Sequence, residues 1–162
     1  MPVRYLKIVL VGFVALLCLL YAAQNVVNLQ AAYGFVYAAL SMADHVAYPD
    51  SLGPAITAPA LVWAALVFII ALEFTAGLVA ARGAWDLWVA RNAPPATCNG
   101  AMTYAVLGCG LGLVVWFGLF TTLGGAYFQM WQTQLGGGSL GGAFQFAVQI
   151  GIVLLFVNMA DS

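Results

Sequence analysis

The stretch PALVWAALVFIIALEFTAGLVAA, Pro59–Ala81, carries a single ionisable side chain, Glu73, and no proline after its first residue. A helix crosses roughly 30 Å of hydrocarbon in about 20 apolar residues, so this segment reads as a membrane span. Three more stretches read the same way, Tyr5–Ala23, Ala101–Leu123 and Ala143–Met159. Charged residues make up 6% of the 162 positions and hydrophobic ones 65%, which leaves too little polar surface to coat a soluble globule. The fold class expected is all-α: a single integral membrane domain, a four-transmembrane-helix bundle made of two hairpins.

The four basic residues fall on one side of that topology. Arg4 and Lys7 open the first span, and Arg82 and Arg91 lie between the second and third. The positive-inside rule then predicts both termini, with Asp161, in the cytoplasm. Residues 1–25 share the basic start and apolar stretch of a secretory signal; we expect them to be retained as the first span. The outer loops, Gln24–Ala58 and Gly124–Gly142, hold the only histidine and no Lys or Arg. Without a basic cluster, nucleic acid is excluded as a partner. Cys18 and Cys109 lie inside spans and Cys98 in the inner loop, so neither a disulfide nor a metal site is expected.

Short helices are expected on the outer membrane surface. Tyr33, Val36, Tyr37 and Leu40 follow the spacing of one helix face, which predicts an interfacial helix over about Gln30–Ala43. Pro49, Pro54 and Pro59 stop it from running into the second span, where Pro59 suits the first turn and Thr57 is the expected cap. The second outer loop has Tyr127, Met130 and Trp131 on one side, with Gly136–Gly138 and Gly141–Gly142 as flexible punctuation. At the inner end the second helix should continue to about Arg91, until Pro94–Pro95 stops it. Arg82 and Asp86 then form an i,i+4 pair, and Trp85 and Trp88 an aromatic belt.

Five groups of residues are candidates for function or assembly. An acid within a span is a functional candidate by default, and Glu73 has three readings. It is a neutral carboxyl bonded to Thr75, Thr103, Asn158 or a backbone carbonyl; a proton or cation relay; or a group that receives a donor from another subunit or ligand. On the fourth span, Ala143, Ala147 and Gly151 make a smooth i,i+4,i+8 ridge for packing. Gln145 and Gln149 lie about 200° around the helix from it. They therefore point outward, toward a partner helix or a wet outer membrane edge. Gly108 and Gly112 form a small-xxx-small pair on the third span, and Tyr33, Tyr37 and Trp131 are aromatic partner candidates in the outer loops. His45 reads as an exposed loop residue. No nucleophile, base and acid fall together, so the chain has no expected catalytic residue and is not expected to be an enzyme.

An ordered set of motifs runs through the whole length: Gln24–Asn25, Tyr33–Gly34–Phe35, Leu40–Ser41–Met42, Tyr48–Pro49 and Ala55–Ile56–Thr57 come first. Glu73, Gly83–Ala84–Trp85, Leu87–Trp88, Trp116–Phe117 and Tyr127–Phe128–Gln129–Met130–Trp131–Gln132 follow. In these the chain resembles a bacterial family of predicted small integral membrane proteins of unknown function. The resemblance implies a four-helix bundle in the inner membrane of a Gram-negative bacterium and transfers no catalytic residue. The chain departs from it at Ala43–Asp44–His45. Two functions follow as expectations. One is a non-catalytic accessory subunit that packs against other integral membrane subunits of a larger complex, such as a respiratory or photosynthetic assembly. The other is a small lipid- or quinone-binding protein or carrier with a polar site around Glu73. No intrinsic cofactor is expected; a lipid, quinone or pigment could fill the periphery.

Overall fold

The computed structural model describes residues 2–160; Asp161 lies outside them. All its regular elements are helical: α1 (Pro2–Val27), α2 (Leu29–Ser41), α3 (Pro59–Ala90), α4 (Pro95–Gly100), α5 (Thr103–Leu113) and α6 (Gln134–Asn158). α5 runs on as a π-helix over Val114–Tyr127, and a single 3-10 turn spans Met130–Gln132. Four helical runs are long and apolar enough to cross a membrane: α1, α3, Pro95–Tyr127 and α6.

Hydrocarbon offers the backbone no hydrogen-bonding partner, so helix is favoured wherever the chain is immersed in it. This explains why helix claims much of what the sequence assigns to loops. The fourth span begins at Gln134 rather than Ala143, and its glycine tract is helical, not flexible punctuation. Thr133 caps that helix: its Oγ1 accepts from the Gly136 amide at 3.0 Å. Gly136 is required there, because a Cβ would run into the Met130 carbonyl. α3 starts at Pro59 as expected, but its cap is Ala58 and no side chain bonds to it, so Thr57 does not serve. Cys98, assigned to a loop, is buried within α4.

α1 and α2 run antiparallel to α3 along nearly its whole length. Arg4 lies by Arg91 and Ala93, Tyr5 by Trp88, Asn25 by Glu73, Tyr33 by Trp63, and Leu40 by Ile56. A helix therefore covers most of Gln30–Ala43, packed along α3 with Val36 against Val62 and Leu66. Between α1 and α2 the chain bends at Asn28 (φ −109°, ψ 40°) while the bonds from Asn28 to Gln24 and from Ala32 to Asn28 continue across.

α3 also packs on α5, and α6 packs on α5, the π-helix and α1. Small residues set the closest crossing. A Cβ on Gly83 would strike the backbone of Ala105, and one on Gly108 the backbone of Ala80. Close backbone approach of this kind drives helix association in lipid, where burial of apolar surface contributes little. Gly108 and Gly112 do not share a neighbour, since a Cβ on Gly112 would meet Ile150 of α6. On α6 the buried residues are Gly136, Ala143, Ile150 and Val157, a seven-residue period rather than the i,i+4,i+8 ridge. Ala143 belongs to this row, whereas Ala147 is half-buried and a Cβ on Gly151 would meet nothing within 4 Å.

Candidate functional site

The candidate residues do not converge on one pocket. They occupy four places, each positioned by different elements.

Glu73 is buried on α3, 1% exposed, and accepts a hydrogen bond from Asn25 Nδ2 at 3.0 Å. The donors considered from sequence are elsewhere. Thr75 donates to Ala71 O, Thr103 to Gly100 O, and Asn158 lines a hollow with Asn99 and Thr103. Asn25 went unnoticed because it closes the first span by sequence, near presumed water. The antiparallel register of α1 on α3, together with the extension of α1 to Val27, brings it level with Glu73. A charged or polar carboxyl in hydrocarbon is costly without a donor, and the chain supplies that donor from within.

Gln145 and Gln149 are outward-facing on α6, as the two-row reading expects. Their place along the helix differs from the sequence reading. With the helix starting at Gln134, they lie roughly 16 and 22 Å from its start, in a helix roughly 37 Å long, at about 1.5 Å per residue. They lie near the middle of the helix rather than near its start. Neither hydrogen-bonds to another described residue. Gly138 and Gly141 share the outward side, and a Cβ on either would meet nothing within 4 Å. Packing inside the chain therefore gives no reason for these glycines.

Tyr33 and Tyr37 form a third group on α2. Tyr33 packs on Trp63 with ring centroids 4.6 Å apart and stacks loosely on Tyr37 at 6.4 Å. Trp131 belongs to the fourth, edge-on to Tyr48 at 5.2 Å. That contact is part of a clasp between the two connecting loops. Gln132 Oε1 accepts from the amides of Ala47 and Tyr48, both at 2.8 Å, and its Nε2 donates to Tyr48 O and to Gln129 Oε1. Gln129, with a left-handed φ of 52°, turns the chain so that both glutamines face the loop. Glutamines scattered among aromatics give no periodic signal, so Gln132 was missed as an organising residue. Beneath the clasp His45 is half-buried, not exposed, and its Nε2 is buried without a partner among the described residues.

At the opposite end the basic residues tie helix ends together. Arg4 donates to the carbonyls of Arg91 and Ala93 at 2.9 and 2.7 Å. Lys7, buried, donates to Met159 O. Both therefore satisfy carbonyls at or just beyond the C-terminal ends of α3 and α6, groups a helix cannot satisfy itself. Arg91 stacks 4.0 Å over the Trp88 ring, and Arg82 pairs with Asp86 at 2.8 Å.

Helices long enough to span, a donor supplied internally to the buried acid Glu73 and tied ends define an integral membrane protein with four candidate spans. The chain belongs to the family described as predicted small integral membrane protein (DUF2165), which it matches over residues 3–160. No curated protein and no solved structure matches it.

Proposed function

We propose that the protein is a non-catalytic accessory subunit of a larger bacterial inner-membrane complex, bound to other integral membrane subunits through the outward face of α6. The observation that carries this reading is the pair Gln145 and Gln149, outward amides without partners among the described residues, near the middle of a helix long enough to span. A polar group turned to hydrocarbon lacks the hydrogen bonds it would have in water, and a neighbouring helix with polar or backbone groups would restore them. The glycines on the same side would let that helix come close. A respiratory or photosynthetic assembly is the kind of complex we infer.

In this reading the bundle is two hairpins, the basic end is cytoplasmic, and α2 and the clasp lie toward the outer membrane surface. Lipid fills the remaining periphery, with no intrinsic cofactor. A polar ligand site around Glu73 has less support, because Asn25 already occupies the carboxylate and the residue is closed off.

The test is purification from native membranes in a mild detergent. The wild-type chain should retain defined membrane subunits, and Q145L/Q149L should lose them while its melting temperature in micelles is unchanged. Recovery of the wild-type chain alone in every detergent tried would sink the proposal.

A further inference from the structure

Between α2, α3 and the π-helix lies a cleft of about 360 Å³. Every side chain that lines it is apolar: Phe35 and Ala39 represent the α2 wall, Ala65 and Phe68 the α3 wall, and Phe120 and Leu123 the π-helical wall. Phe128 and Met130 close it beneath the loop clasp. At its rim Leu61, Phe68 and Leu123 are each about half exposed or more, at 57, 57 and 48%, so it opens sideways onto the surface that lipid covers.

Its third wall depends on the winding of the third span. π-Helices are rare and mostly single turns, often at functional sites; here one runs for 14 residues. Thr121 and Thr122 donate to the carbonyls five residues back, Trp116 O and Phe117 O, both at 3.0 Å. Their hydroxyls are thus bonded within the helix, and neither threonine lines the cleft.

The geometry points to a hydrocarbon-tail site: the cleft holds one acyl chain of a phospholipid from the leaflet at the clasp end. Size argues against a protein helix, which is about 10–12 Å across with its side chains, whereas 360 Å³ falls at the lower end of small-molecule sites, about 300–1,000 Å³. Chemistry argues against a quinone ring, whose carbonyls would find no donor side chain in the lining. The loops at this end carry no Lys or Arg, so nothing there selects an anionic headgroup and recognition rests on the tail. This site uses no residue of α6 and stands or falls apart from the subunit reading.

Irradiation of the unmodified protein in phosphatidylcholine bilayers, with a phospholipid carrying a diazirine in its tail, followed by peptide mapping, tests the proposal. The expected result is adducts at Phe35, Ala65, Phe120 or Leu123 at least fivefold above those at Phe13 and Leu17, which line the groove between α1 and α6. In native mass spectrometry one phospholipid should be retained, and A65W and A39W, which fill the cleft from opposite walls, should each lose it. An even spread of adducts, or an isoprenoid quinone retained in place of phospholipid, would overturn the assignment.

Discussion

α3 and α6 are both long apolar helices with polar residues in mid-span, yet they treat that polarity in opposite ways. α3 is enclosed by α1, α2 and α5, and its acid is buried and bonded to Asn25. α6 buries one row of four residues and turns two amides outward. The difference separates a helix whose mid-helix polar group is bonded within the chain from one whose amides have no partner among the described residues. Two glycines show a similar contrast: a Cβ on Gly83 would strike the backbone of Ala105, while one on Gly141 would meet nothing within 4 Å.

Substitution at these two glycines should give the largest contrast. G83L must push α3 off α5, and overpacking of this kind costs about 1–3 kcal/mol or more; we expect a clear fall in melting temperature in micelles and poor recovery of monomer. G141L should leave the isolated chain unchanged, and an equal loss would erase the distinction. The second contrast concerns the polar groups. N25L leaves the Glu73 carboxyl buried without its donor, a loss of about 1–3 kcal/mol, measurable by chemical denaturation in mixed micelles. If N25L/E73L recovers most of that loss, the cost belongs to the orphaned carboxyl. Smallest of all should be Q149L, which removes an amide with no internal partner; the isolated chain should keep its stability within about 0.5 kcal/mol. A large destabilisation would mean that Gln149 has a role inside the bundle.

Much of this fold is legible in the sequence because hydrophobic length is a direct signal. Pro59 marks the start of α3 to the residue, and Arg91 marks its end. What escaped was governed by register and medium. Asn25 was read as a residue at a water boundary, and only the antiparallel alignment of α1 with α3 makes it the partner of Glu73. The glycines from Gly136 to Gly142 signal a loop in water but are helical here, and that shift moved Gln145 and Gln149 to mid-helix. The outward direction of the two glutamines was readable from their offset alone. The close approach at Gly108 was readable too, but Gly83, its counterpart on α3, lay hidden in a segment read for its tryptophans. The clasp at Gln132 depends on two loops distant in sequence, which no local pattern reports.

The ties at the basic end also bear on the order of assembly. Lys7 belongs to the first span to be synthesised, whereas Met159, whose carbonyl it meets, comes at the close of the last. During synthesis that contact cannot form until α6 arrives. α1 and α3 can pair as soon as both are inserted, through Arg4 and the carbonyls of Arg91 and Ala93. The ring of helices is then completed only when the final span docks, so the least buried helix is also the one that closes the bundle.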